Sequence, residues 1–384
     1  MTEISVSAPG KIILHGEHSV VHGKKAIACA IESRVFVRAT TSNSNDGVIS
    51  VLMSSLHDKQ ITVQINEFCF FCDKLKDEEN PGIEIEKYCA ETLSEHANEF
   101  MRLAMSCLLY AYYKVFLCSD PITAPHVSLI IESQLPIGAG LGSSAAYNTS
   151  VACILLLLSG RISTESSDSF IELKNENNLN KINELAYEME KIVHKTPSGI
   201  DNSIATYGGA VLFEKGNLTK LENMPKLQLL IVDSQVQRNT KTLVSNVKEF
   251  LNKFPDIVNP ILDAMHGITL KSEILLKNIH ADQLNHELLN DLGKLIITNQ
   301  CLLCGIGVGH PALDKICLIA KKFGFPAKLT GAGGGGCAII LLHTSSGLLD
   351  SNVESMVKVL TDENFICKKA MLGAGGIMTK YTHR

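Results

Sequence analysis

The sequence predicts an α+β protein of two domains. Three observations predict it. The chain has 384 residues, more than one hydrophobic core usually organises. β-Branched stretches alternate with segments of helical periodicity and give way, near residue 225, to a longer helical block. Two glycine-rich runs, residues 136–146 and 331–336, punctuate the two parts. The change near 225 divides the chain into 1–225 and 226–384, with the last strand able to return to the first domain.

In chain order, residues 4–8 read as a short strand broken by Gly10-Lys11. Residues 26–40 hold the β-branched side chains of a second strand. Val48–Met53 and Ile61–Ile65 form a hairpin-like unit, and residues 83–117 are mostly helical. Val127–Ser133 is a strand leading into the first glycine run. Ser143 or Ser144 is a natural N-cap for an apolar helix through Leu158. Residues 160–181 are polar and read as a surface excursion. Ile182, Leu185, Ala186, Met189, Ile192 and Val193 mark one helical face, ending near Lys195 because Pro197 and Gly199 follow. Leu229–Asp233 is a strand. Helical patterns fill 240–305 and 311–323, and strand-like pieces, 327–330 and 337–343, bracket the second glycine run.

Composition excludes some functions. The chain is 45% hydrophobic and 20% charged with a net charge of −5, which argues against a nucleic-acid or anionic-membrane partner. Residues 1–6 carry no secretory signal. The longest purely apolar run, Val151–Leu158, is too short to span a bilayer. Twelve cysteines without a regular framework read as reduced thiols in the cytoplasm. The pairs Cys69/Cys72 and Cys301/Cys304, with apolar spacers, read as buried structural thiols rather than a metal site.

The stretch PIGAGLGSSAA, residues 136–146, asks for an anion. Its glycines let the backbone approach closely, and the helix behind it aims free N–H groups at the same place. It lacks the lysine of a P-loop, since Ser143 follows Gly142. It also lacks the third glycine of the dinucleotide fingerprint. A polyphosphate with its metal fits the generic chemistry, and a tight turn that merely needs small residues is the alternative.

Three more patches accompany it: PGKIILHGEHSVVHG at 9–23, Glu190 with HKTPSGIDN at 194–202, and KLTGAGGGGCAII at 328–340. In this order and spacing the motifs resemble those of the GHMP kinase superfamily, over about residues 5 to 340. The HGEH-x-V-x-HG element, His15 to Gly23, resembles the mevalonate-phosphorylating branch more than the galactokinases. The resemblance implies a two-domain GHMP kinase fold with ATP in the inter-domain cleft. It implies transfer of the ATP γ-phosphoryl group to the 5-hydroxyl of mevalonate, early in isoprenoid and sterol precursor synthesis. Another small alcohol as substrate, or a catalytically silent nucleotide binder, stays open.

Residue by residue, the resemblance assigns Pro136, Gly138, Ala139, Gly140, Leu141, Gly142, Ser143, Ser144 and Ala145, with Gly331, Ala332 and Gly333, to the nucleotide. Asp201 becomes the base for the acceptor hydroxyl. From the residues alone, the favoured reading of Ser198 to Asp201 is a capping box. Lys11 would stabilise the transferring phosphoryl group and acidify the hydroxyl; otherwise it is a solvated lysine. Ser144 and Glu190 would hold Mg2+, and Glu190 could instead pair with His194 on the helix flank. Glu17, His18 and Thr240 join Lys11 and Asp201 around the substrate; His18 reads otherwise as a core or cap histidine. Feedback inhibition by isoprenyl diphosphates and a homodimer are further implications.

Overall fold

The computed structural model describes residues 2–41, 47–53, 59–75, 78–93, 97–118, 125–136, 138–279, 285–343 and 350–383. Strands β1 (Thr2–His15) and β2 (Ala26–Thr40) open the chain, followed by β3 (Val48–Met53) and β4 (Lys59–Gln64). Helices α1 (Ile65–Cys72), α2 (Pro81–Thr92) and α3 (Glu99–Tyr112) come next, then β5 (Val127–Ser133) and α4 (Ser143–Leu158). After them stand β6 (Ser167–Glu172), α5 (Glu176–His194), α6 (Ile200–Tyr207), β7 (Ala210–Glu214), β8 (Asn217–Leu221) and β9 (Leu227–Asp233). The later chain contains α7 (Thr240–Lys253), α8 (Pro255–Asn278), α9 (His286–Gly305), α10 (Pro311–Lys322), β10 (Ala327–Leu329) and β11 (Cys337–Leu341). It closes with α11 (Asp350–Asp362), β12 (Ile366–Leu372) and β13 (Met378–His383).

The strands join one sheet whose main path runs β10-β11-β9-β12-β2-β1-β13-β6. The expected break at Gly10-Lys11 is corrected. β1 runs through both residues, because Pro9 pairs with Arg34 and Gly10 already pairs with Ile31. The two skipped residues of β2 form a bulge that absorbs the Pro-Gly step without ending the ladder. Lys11 is therefore held on a strand, opposite Ala30.

The excursion at 160–181 is also more ordered than its composition suggests. β6 pairs with β13, and α5 already begins at Glu176. β13 lies between β6 and β1, so the end of the chain stitches to its beginning.

Two apolar clusters share the central strands. Along β9, Leu229 and Ile231 face one cluster while Leu230 and Val232 face the other. β11 repeats this with Ile339 and Leu341 against Ala338 and Ile340. The period of two turns each strand into a partition with helices on both faces. Residues Glu99–Leu117 are long and apolar enough, by length and composition, to cross a membrane, but 67% of that stretch is packed inside the protein. All twelve cysteines are free thiols. Cys72 is buried as expected, whereas Cys301 and Cys304 are exposed: the helical spacing turns both to the outer side of α9.

Candidate active site

The first glycine run leaves β5 and enters α4. The helix starts at Ser143, and its N-cap is Gly142, at φ 75°, rather than a serine. The first helical bond runs from the Ala146 N–H to the Gly142 carbonyl. The N–H groups of Ser143, Ser144 and Ala145 therefore precede the ladder and are available to an anion. A side chain at Gly142 would require a left-handed backbone and would stand 2.9 Å from Lys11 Cγ. The loop is pinned to the sheet by the Lys11 N–H donating to the Leu141 carbonyl at 2.8 Å.

Lys11 reaches over this loop to Asp201, with Nζ 3.2 Å from Oδ1. The capping box is corrected. Gly199, left-handed at φ 80°, is the N-cap of α6 in place of Ser198, and it has no side chain to accept from the first turn. Ser198 Oγ accepts from the Ile200 N–H instead, at 3.3 Å. Asp201 is thereby free to face Lys11.

Glu190 is no surface acid, since its side chain is 2% exposed. Oε1 accepts from Asn148 Nδ2 at 2.7 Å, and His194 Nε2 stands 3.6 Å from Oε2. Burial first, and then neighbouring Asp201, push its carboxyl up to about 7, while bonds from Asn148 and the Ser144 hydroxyl oppose the rise. Asn148 Oδ1 is buried without a partner among the described residues. Oxygen donors, crowded negative charge and an orphaned carbonyl oxygen suit a hard cation such as Mg2+. Among the described residues no group of three His, Cys, Asp or Glu side chains is arranged for a metal, so solvent and phosphate oxygens would complete the shell.

Lys11, Ser144, Asn148, His194 and Asp201 line a cavity of about 520 Å³, and Glu190 is not among its lining residues. Lys11, Asp201, Gly138, Gly140, Gly142, Ser143 and Ser144 line its polar end, together with His18, Gly331, Ala332 and exposed Thr240. Val35, Met53, Phe100, Leu103, Ile131 and Tyr147 line an apolar lobe. Pro136, Ala139, Leu141, Ala145 and Gly333, also expected at the nucleotide, are not among its lining residues. His18 Nε2 donates to the Ala332 carbonyl at 2.8 Å, and burial holds its imidazole below the ordinary value. Glu17 lines the floor but is 1% exposed, with Lys328 on Oε1 and Asn299 Nδ2 at 3.1 Å from Oε2.

Arg238 is a lining residue that the motifs do not single out. It donates through Nη2 to the Ala139 carbonyl at 2.9 Å and through Nη1 to the Thr330 carbonyl at 3.2 Å. It thus bridges the two glycine runs. A Cβ at Gly140 would fall 1.6 Å from Nη2, so the glycine and the arginine require each other. The available signal was its place two residues before Thr240.

Residues 102–209 match the family of GHMP kinases N terminal domain, and residues 277–376 match GHMP kinases C terminal. The mevalonate kinase of Mus musculus is 38% identical over 383 residues, covering 97% of this chain and 94% of its own. That of Homo sapiens is 36% identical over 375 residues, covering 97% and 93%. The crystal structure of the Methanococcus jannaschii mevalonate kinase has a TM-score of 0.70 at 26% identity, over 95% of this chain and 97% of that one.

Proposed function

The chain belongs to the mevalonate kinase family of GHMP kinases, and on that premise we propose how its residues divide the work. The enzyme transfers the γ-phosphoryl group of ATP to mevalonate. The observation that carries the assignment of roles is the Lys11–Asp201 contact, at 3.2 Å, in front of the α4 N-terminus.

ATP lies with its phosphates on residues 138–145 and its base in the apolar lobe. Mevalonate enters between Lys11, Asp201, His18 and Thr240, which share that cavity. The bond from the γ-phosphorus to the bridging oxygen breaks and leaves ADP. A new phosphorus–oxygen bond forms to the 5-hydroxyl oxygen, whose proton passes to Asp201. Lys11 stabilises the equatorial oxygens of the transferring group, and Arg238 holds the two glycine runs in register over it. Ser144 and Glu190 would hold Mg2+, which neutralises phosphate charge when bound. Phosphoryl transfer needs mainly positioning and charge stabilisation, which this arrangement provides.

The ATP cleft lies between the domains 1–225 and 226–384 in this reading. The twelve free thiols support a cytoplasmic setting. Exposed Leu270 and Ile274 on α8, with Ile297 on α9, support a homodimer; sedimentation at several concentrations tests it. The function itself is tested by ADP release with mevalonate, phosphomevalonate and galactose offered separately. Release with mevalonate alone is expected, and release that ignores the alcohol would refute the assignment.

A further inference from the structure

Three ties cross from the end of β1 and the turn after it to the segment around β10, and they fall on alternate residues 328, 330 and 332. The Thr330 hydroxyl donates to the Ile13 carbonyl at 2.9 Å and accepts from the Ile13 N–H at 3.1 Å. His18 Nε2 donates to the Ala332 carbonyl at 2.8 Å. Between them, Lys328 reaches Glu17, both side chains being 0% exposed. Lys328 Nζ also donates to the Leu329 carbonyl at 2.7 Å, and Asn299 takes the second Glu17 oxygen.

A buried ion pair is a poor means of stabilising a fold, because apolar side chains of the same volume often do as well. Burial pushes the Glu17 carboxyl up and the Lys328 ammonium down, so the site tolerates either charge only through the other. Neighbouring His15 does not compete. Its ring nitrogens have no hydrogen-bond partner among the described residues, and burial, with Lys328 adding to it, holds its imidazole well below the ordinary value. What the pair adjoins is a strained residue. His18 has φ 56° and ψ −48°, a conformation that side-chain-bearing residues avoid. Such a backbone persists only when its surroundings over-determine it.

We infer that the Glu17–Lys328 pair is a positioning device: it ties the 15–22 turn to β10 and thereby holds strained His18 against Ala332 at the acceptor end of the cavity. Glu17 and Lys328 are positioning residues acting through His18, and neither touches the substrate. The inference rests on the phosphotransfer reading above.

The test uses the full-length enzyme with Glu17→Gln, and with Glu17→Gln combined with Lys328→Met, which removes both charges together. In each, KM for mevalonate should rise about tenfold or more while KM for ATP stays within about threefold. Amide exchange without substrate should quicken about tenfold in 15–22 and 328–333 and stay parental elsewhere. Parental KM in the folded variants would overturn the inference. So would a raised KM with parental exchange, which would make Glu17 a direct substrate contact. Variants that cannot fold would make the pair a stability element and overturn it equally. A failed phosphotransfer reading would show separately, as a parent enzyme that releases no ADP with mevalonate, and the exchange measurement would still report on the tie.

Discussion

Lys11 on β1 and Asp201 on α6 meet with Nζ 3.2 Å from Oδ1, and the carboxylate is 31% exposed toward the cavity. One strand and one helix start therefore set an ammonium and a carboxylate side by side, facing the N-terminus of α4. In the proposed division of roles, the ammonium serves the phosphoryl oxygens and the carboxylate the hydroxyl proton.

Asp201→Asn keeps the shape and removes the proposed base. Turnover should fall by about two to four orders of magnitude, the usual scale for a general base. ATP affinity, followed by nucleotide fluorescence, should stay near that of the parent. Turnover near the parental value would leave Asp201 as no more than a partner for Lys11.

Glu190 gives a prediction in pH. Its carboxyl titrates near 7 in the folded protein, against 4.5 as the ordinary value. Folding then favours the protonated form, so stability falls as pH climbs from 4.5 to about 7 and levels off above. Glu190→Gln removes that loss. In cation-free buffer its melting temperature should exceed the parent's at pH 8, and the gap should close toward pH 4.5. In assays, Glu190→Gln and Ser144→Ala should each need more Mg2+ for half-maximal rate. A gap that does not change with pH would place the titration elsewhere.

Much of this site could be read from the chain. Helix α4 announces itself by small residues followed by an apolar run, and β5 by Val127, Leu129, Ile130 and Ile131 ahead of the glycine run; both were expected within a residue of their observed ends. Glycines at 138, 140 and 142 mark a bare loop in any context. What could not be read depends on contacts between distant residues. The solvated alternative for Lys11 rests on Pro9-Gly10 as a turn, and the register shift against β2 carries the strand through it instead. Lys328 carried no role, since a lysine between apolar neighbours gives no hint that a buried glutamate awaits it. The capping box failed because a left-handed Gly199 starts the helix one residue later than Ser198 would.

Arg238 should matter for the nucleotide. It ties the Ala139 and Thr330 carbonyls together across the two glycine runs. Arg238→Ala should lower kcat/KM for ATP by about two orders of magnitude, the scale of losing a charged donor with its partners left unpaired. Arg238→Lys should restore little, because one ammonium cannot span two carbonyls in fixed fork geometry. Equal activity of the lysine variant and the parent would show that only the charge matters.

The last prediction concerns inhibition. The cavity joins an anion-binding end, built from the α4 N-terminus, Lys11 and Arg238, to an apolar lobe of Val35, Met53, Phe100, Leu103 and Ile131. A ligand with a diphosphate head and a hydrocarbon tail matches both ends. Farnesyl diphosphate should therefore inhibit by competing with ATP and not with mevalonate, since the proposed acceptor end at His18 and Thr240 would be left free. Shortening the tail removes buried apolar area at about 25 cal/mol per Å², so geranyl diphosphate should inhibit more weakly and inorganic diphosphate least. Enlarging the lobe's polarity with Leu103→Gln should weaken farnesyl diphosphate more than it weakens diphosphate. Initial rates at several ATP concentrations decide the matter: inhibition that saturating ATP does not relieve would put the isoprenyl ligand outside this cavity.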